Sequence, residues 1–169
     1  MKATSTFAHK RVEKASPDGA PAPGIPRIRV AAIILEDDAL LLVRHIKNGK
    51  SYWLLPGGGI EYGEPLAEAL RRELREEACV EIDVGDLVIV NDTIPPGNRR
   101  HTINMCFTAT IQSGAIAVGS DPRVVEVRFV PVAEIESLTF YPDIRHELMP
   151  ALRAGFPRRA SYLGNLWKE

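Results

Sequence analysis

The stretch LLPGGGIEYGEPLAEALRRELREEACV, from Leu54 to Val80, constrains the fold more than any other part of the chain. Its three consecutive glycines do not suit the interior of a helix or strand, so they predict a loop. Glu64-Pro65 follows, and proline is favoured at the first position of a helix. We therefore predict a helix from Pro65 to about Ala78, entered through a glycine loop.

The predicted helix has three distinct faces at about 100° per residue. Its apolar face, which is expected to contact the core, comprises Leu66, Ala67, Leu70, Leu74 and Ala78. A second face, which is expected to point to solvent, carries Glu68, Arg71 and Arg75. The third face carries only carboxylates, from Glu73, Glu76 and Glu77.

Carboxylates spaced three and four residues apart repel each other by about 0.2–0.5 kcal/mol per pair in an exposed helix. The repulsion increases where the site is partly desolvated. Neighbouring arginines would relieve it if the third face were an ordinary solvated surface. A divalent cation such as magnesium, which prefers oxygen ligands, would relieve it if the face were a metal site. The periodicity alone leaves both explanations open.

The remaining pattern predicts an α+β protein. Apolar, β-branched runs predict strands at IRVAAIILE, ALLLVRHI, YWLLP, DLVIVNDTI, HTINMCFTATI and VVEVRFVPV. Further helices are predicted at VAEIESL and PDIRHELMPALRAG, and Pro150 is expected to end or kink the latter. Because hairpin connections dominate, we predict a mixed, mostly antiparallel sheet with helices packed on it. We predict that residues 1–26 form a flexible arm and that residues 27–169 form one domain.

Composition narrows the function classes. The 169-residue chain has 21 basic and 22 acidic residues and a net charge of −1, so nothing predicts binding to nucleic acid or a membrane surface. No window approaches the ~18 apolar residues of a membrane span, and the N-terminus lacks an apolar signal core. We therefore predict a cytoplasmic protein. Its two cysteines, Cys79 and Cys106, lie in apolar stretches and are predicted to be buried and reduced.

Residue spacing distinguishes the two explanations for the carboxylates. The chain reads Gly58, five residues, Glu64, seven residues, Arg72-Glu73-Leu74, one residue, Glu76-Glu77, two residues and Val80. This resembles the Nudix box, G-x5-E-x7-R-E-U-x-E-E-x-G-U, in which U is aliphatic. Only Cys79 departs from it, where the family has glycine. Glycine normally supplies the left-handed residue that ends such a helix, so either cysteine takes that conformation at a cost of about 1 kcal/mol or the turn differs.

The resemblance implies a Nudix-type α/β/α sandwich that hydrolyses a phosphoanhydride bond, using magnesium or manganese. The implied substrate is a nucleoside diphosphate linked to another moiety, X. The implied metal ligands and catalytic carboxylates are Glu73, Glu76 and Glu77, with Glu76 or Glu77 assisting the deprotonation of the attacking water. The implied structural residues are Glu64 and Arg72, which would form a salt bridge, and Gly58 and Gly59, which would let the helix approach the loop.

Several residues outside the box are candidates for the same site. Members of the family often recruit another acidic residue from a later strand or loop, for which Glu126 is the candidate; a solvent-facing Glu126 is the alternative. Candidates for substrate binding are Arg29, Arg44, Arg99 and Arg100. In ADP-ribose-hydrolysing members a proline lies about sixteen residues past the box, as Pro95 and Pro96 do here. Candidates for stacking on a base, packing in the core or contacting a second subunit are Tyr141, Tyr162 and Trp167.

Three function classes follow. The first is a metal-dependent hydrolase acting on ADP-ribose or a nucleotide sugar, with nucleoside triphosphates or dinucleoside polyphosphates as alternative substrates. The second is a non-hydrolytic, nucleotide-sensing module, which retention of all three carboxylates disfavours. The third is an isomerase of isoprenyl diphosphates, which needs a catalytic cysteine such as Cys79. A homodimer is compatible with the resemblance.

Overall fold

The computed structural model describes residues 24–47, 49–98, 100–156 and 159–166. In chain order the elements are β1 (Arg27–Ile33), β2 (Leu35–Glu36), β3 (Ala39–Lys47), β4 (Lys50–Leu54), α1 (Leu66–Ala78), β5 (Val80–Thr93), a 3₁₀ turn (Pro96–Asn98), β6 (Thr102–Gly114), β7 (Val124–Pro131), a 3₁₀ helix (Val132–Ser137), α2 (Arg145–Ala154) and β8 (Ser161–Asn165). Within these residues, no helix has the length and apolar character needed to cross a membrane.

The strands form two sheets, where the sequence predicted one. The first has the order β1-β6-β5-β8, and in the second β3 pairs with β2, β4 and β7. Pairing is parallel between β1 and β6 and between β5 and β8, and antiparallel between the other paired strands that the structure describes. The predicted α+β class with mixed, mostly antiparallel pairing is confirmed.

Strand alternation produces a hydrophobic core on each side of the strand layer. Val30 and Ala32 of β1 pack in one core with Leu70 of α1. The alternate residues Ala31 and Ile33 pack in the other core, with Leu148 of α2. Successive side chains of a strand point to opposite faces, so one apolar strand supports a helix on each side. This arrangement is the predicted α/β/α sandwich.

Helix α1 matches its predicted span to within one residue, beginning at Leu66 after Pro65 and ending at Ala78. Cys79 follows in the left-handed conformation, with φ 59° and ψ 31°, as the motif predicted for that position. The prediction that its thiol is buried is wrong, because Cys79 is exposed, whereas Cys106 is buried as predicted. A left-handed residue turns away from the apolar face of the helix before it, so apolar neighbours do not determine its burial.

The C-terminal third differs in detail from the sequence-based expectation. VAEIESL forms a 3₁₀ helix, and Pro150 lies inside α2 without ending it. Strand β8 was not predicted. Of the predicted arm, residues 1–26, the structure describes only residues 24–26, and Arg99 and Trp167 also lie outside the described residues. The arm and the single-domain boundary stay predictions.

Candidate active site

The glycine loop, Gly57–Gly59, lies along the free edge of β1. The Val30 N–H donates to Gly58 O over 2.9 Å, and the Ile60 N–H donates to Ile28 O over 3.2 Å. Gly57 has φ 136°, and a Cβ atom there would lie 2.2 Å from Val30 O. No other residue type fits so close to the strand in that conformation. The loop is therefore fixed against the sheet while its other side faces α1.

Two glutamates of α1 contact the glycine loop. The Gly57 N–H donates to Glu77 Oε2 over 2.7 Å. The Glu73 carboxylate lies against Gly58, where a Cβ atom would be 2.2 Å from it. Glycine at these positions therefore lets both carboxylates approach the loop backbone. Both are buried, since Glu73 is 6% exposed and Glu77 is 0% exposed.

Arg72 connects the helix, the loop and the neighbouring carboxylates. Its Nη2 donates to Gly59 O and to Glu64 Oε2, each over 3.0 Å. Its Nη1 donates to Glu73 Oε1 over 2.9 Å and to Glu76 Oε2 over 3.4 Å. The hydrogen bond with Glu64 raises the pKa of Arg72 and lowers that of Glu64. The structure thus places the predicted Glu64–Arg72 pair between the loop and α1.

The three glutamates have unequal surroundings. Burial raises the pKa of Glu73 above its usual value, against the hydrogen bond from Arg72. The Glu76 side chain is 44% exposed. Glu77 Oε1 is buried and has no hydrogen-bond partner, and the nearest ring nitrogen, His45 Nε2, lies 3.6 Å away and is also without a partner. This face of α1 is therefore not an ordinary solvated surface.

These side chains fit a divalent cation by their chemistry. Among the described residues, no three His, Cys, Asp or Glu side chains already converge as a metal site. Arg72 engages oxygens of both Glu73 and Glu76. Glu77 Oε1 nevertheless remains without a partner, and a buried carboxylate oxygen in that state is costly unless a cation approaches it. Three carboxylates also form the donor set that hard divalent cations prefer.

Arginines surround the other side of the glycine loop. Arg29 donates to Leu55 O over 2.8 Å and to Gly57 O over 2.9 Å. The Arg27 guanidinium covers Gly59, whose added Cβ atom would lie 2.6 Å from Arg27 Nη2. Burial and, after it, the charges of Arg100, Arg29 and Arg123 lower the pKa of Arg27 to about 10, against the opposing effect of the Glu73 charge. A cationic surface thus adjoins the buried carboxylates.

Two of the predicted site residues, Arg44 and Glu126, contact each other instead of the α1 carboxylates. Arg44 Nε donates to Glu126 Oε2 over 2.7 Å, and Arg128 Nε donates to Glu126 Oε1 over 3.1 Å. Both guanidinium groups lie near the Trp53 ring, at 5.8 Å and 5.0 Å from its centroid. The structure therefore brings Glu126 to two arginines instead of to the α1 carboxylates. Glu126 as a metal ligand and Arg44 as a substrate ligand stay predictions.

The sequence interpretation missed His45, Tyr52, Arg27 and Arg123. His45 follows Arg44 on β3 and therefore points to the opposite face, toward α1. The His45 and Tyr52 rings meet edge to face at 5.8 Å, and Tyr52 meets Tyr141 at 6.0 Å. These rings extend from Glu77 toward a cavity lined by Arg29, Asn104 and Tyr141. Arg27 and Arg29 are two residues apart on β1 and therefore share one face of the strand. This alternation could have identified Arg27 from the sequence.

Known proteins resemble the chain in sequence and fold. The NUDIX domain profile matches residues 25–152. The ADP-ribose pyrophosphatase of Methanocaldococcus jannaschii is 31% identical over 116 residues, which are 68% of this chain and 68% of that protein. The nucleoside triphosphatase NudI of Salmonella heidelberg is 39% identical over 72 residues, 41% of this chain and about half (47%) of that relative. A NUDIX hydrolase structure from Nitrosomonas europaea superposes with a TM-score of 0.69 at 24% identity, covering 79% of this chain and 94% of the other.

The family match includes the structural features already described. Residues 25–152 contain the glycine loop, α1 and both sheets apart from β8. The resemblance inferred from the box is therefore confirmed for most of the chain. The protein belongs to the NUDIX family and is a Nudix pyrophosphohydrolase.

Proposed function

We propose that the protein hydrolyses the phosphoanhydride bond of ADP-ribose or a related nucleotide sugar, using magnesium or manganese held by Glu73, Glu76 and Glu77. The observation that carries this proposal is Glu77 Oε1, which is fully buried and lacks a partner beside two further carboxylates. A buried carboxylate oxygen without a hydrogen bond costs about 1–3 kcal/mol, and a bound cation would offset that cost.

The residues of the site have different roles in the reaction. A divalent cation, when bound, neutralises phosphate oxygens and lowers the pKa of water. The Gly57 N–H orients Glu77, and Arg72 orients Glu73. Glu76 is the most exposed of the three, so the attacking water reaches it most readily. We assign to the Glu76 carboxylate the acceptance of that water's proton.

Two relatives support different substrates of the same reaction class. The archaeal relative, matched over two thirds of its length, is an ADP-ribose pyrophosphatase. The shorter match to a nucleoside triphosphatase supports nucleoside triphosphates as the second candidate. Tyr52 and Tyr141, half-buried next to the arginines, offer ring surface to a base or ribose in either case.

A substrate panel tests the proposal. ADP-ribose, UDP-glucose, ATP and diadenosine tetraphosphate are incubated with the protein and either magnesium, manganese or EDTA, and the products are identified by mass. We expect AMP and ribose 5-phosphate from ADP-ribose, only in the presence of the cation. AMP and pyrophosphate from ATP, without cleavage of ADP-ribose, would favour the second candidate. Absence of cation-dependent cleavage from the whole panel would refute the proposal.

A further inference from the structure

Four arginines near the glycine loop differ in the side-chain partners that the described residues give them. Arg29 is held by two carbonyl groups, and Arg123 is paired with Asp121, its Nε lying 2.9 Å from Asp121 Oδ1. Among the residues that the structure describes, Arg27 and Arg100 form neither an ion pair nor a side-chain hydrogen bond. Both arginines are partly buried, and desolvating an arginine charge is costly unless an anion or an acceptor approaches it.

Local geometry holds these two arginines on the same side of the loop. The Arg27 N–H donates to His101 O over 2.8 Å, which joins the start of β1 to the residue after Arg100. The Arg27 guanidinium extends over Gly59, within 3.0 Å of where a Cβ atom would be. Gly59 leaves room for the Arg27 guanidinium, as Gly58 does for the Glu73 carboxylate.

The Arg100 side chain has an N–H group without a hydrogen-bond acceptor among the described residues. This group, Nε, is buried. The backbone hydrogen bond from Arg27 to His101, the residue after Arg100, brings the two arginines to one end of the glycine loop, and the Arg100 charge lowers the pKa of Arg27. Two neighbouring cations repel each other, and a buried N–H without an acceptor costs about 1–3 kcal/mol. A single anion with several acceptor oxygens would relieve both costs.

We propose that Arg27 and Arg100 form a phosphate subsite that binds a phosphoryl group of the substrate without a metal ion. Guanidinium groups match the oxygens of phosphate with paired hydrogen bonds. The subsite would hold one phosphoryl group beside Gly59, while the carboxylates act beside Gly57 and Gly58. This inference rests on the proposed diphosphate substrate, and it adds a binding step that does not depend on the cation.

Calorimetric titration with inorganic pyrophosphate in EDTA tests the subsite apart from hydrolysis. The proteins compared are the wild type, Arg27→Met, Arg100→Met and the control Arg153→Met, which removes an equal charge from an exposed position on α2. We expect the wild type and Arg153→Met to bind pyrophosphate with equal affinity. Arg27→Met and Arg100→Met should each weaken binding about tenfold or more.

A second set of proteins keeps the outcome interpretable. Arg27→Lys retains the charge and the aliphatic stem but lacks the planar guanidinium group. It replaces Arg27→Met in the titration if that variant does not fold, and we expect it to lose less affinity for pyrophosphate. Glu77→Gln should lose hydrolysis and keep pyrophosphate binding in EDTA, which separates failure of the subsite from failure of the proposed function. Wild-type affinity in Arg100→Met and both Arg27 variants, or no pyrophosphate binding by the wild type in EDTA, would overturn the proposal.

Discussion

Substituting Gly58 by alanine directly tests the contact between the glycine loop and α1. Gly58 does not have a positive φ, so alanine is tolerated by the backbone. The new Cβ atom would lie 2.2 Å from the Glu73 carboxyl carbon, whereas ordinary contact begins at 3.4 Å. The carboxylate must therefore move by about 1.2 Å. A displacement of about 1 Å at a catalytic group lowers turnover roughly 100-fold, so we expect kcat to fall by about that factor.

The stability cost of Gly58→Ala should be modest, because the displaced group is the end of a flexible side chain. Overpacking of this kind costs about 1–3 kcal/mol, which lowers Tm by about 2–10 °C in a protein of this size. Gly49→Ala is the matched control: it has φ 72° and no neighbour within 4 Å, so it loses about 1 kcal/mol through backbone strain alone. Steady-state kinetics and thermal unfolding of both variants complete the assay. Wild-type kcat in Gly58→Ala would refute the account of how the loop positions Glu73.

Two further predictions concern acid stability and thiol reactivity. Hydrogen bonds from the Tyr162 hydroxyl and the His101 ring lower the pKa of Asp92, so the stabilisation they provide is complete above about pH 4 and is lost as pH falls through the lowered pKa. Denaturant titrations should show that Asp92→Asn destabilises the protein at pH 7 and that the difference shrinks at pH 3; a pH-independent difference would contradict this. Because Cys79 is exposed and burial raises the pKa of Cys106 to about 12, maleimide should label Cys79 alone in the native protein and leave hydrolysis intact. Native labelling of Cys106, located by peptide mass, or inactivation on labelling Cys79 would contradict the assigned roles.

Sequence periodicity predicted α1 and its carboxylate face well, because both depend on local spacing along one helix. It did not predict that Glu73 and Glu77 are buried while Glu76 is half exposed. That difference arises from the glycine loop and β1, which contact the helix only in the folded chain. Local spacing identifies which side chains share a face, whereas tertiary contacts determine how much water each one meets.

Strand register explains where the structure places Arg44 and why His45 and β8 were missed. Arg44 and His45 are adjacent in sequence but lie on opposite faces of β3, and only the pairing with β7 reveals that Arg44 faces Glu126. The sequence SYLGN of β8 contains glycine and asparagine, which are depleted in strands, so nothing local indicated its pairing with β5. Long-range pairing, which one sequence does not encode as a local pattern, decided both cases.

The central claim, that the buried carboxylates of α1 hold the catalytic cation, is tested most directly in Glu77→Gln. Glutamine keeps an oxygen to accept the Gly57 N–H and removes the buried charge, so the fold should remain as stable as the wild type in EDTA. Glu68→Gln, on the solvent face of the same helix, is the control. We predict that Glu77→Gln weakens Mn²⁺ binding, measured by electron paramagnetic resonance, and lowers turnover of ADP-ribose at least 100-fold, while Glu68→Gln changes neither. Wild-type Mn²⁺ binding and turnover in Glu77→Gln would contradict the claim.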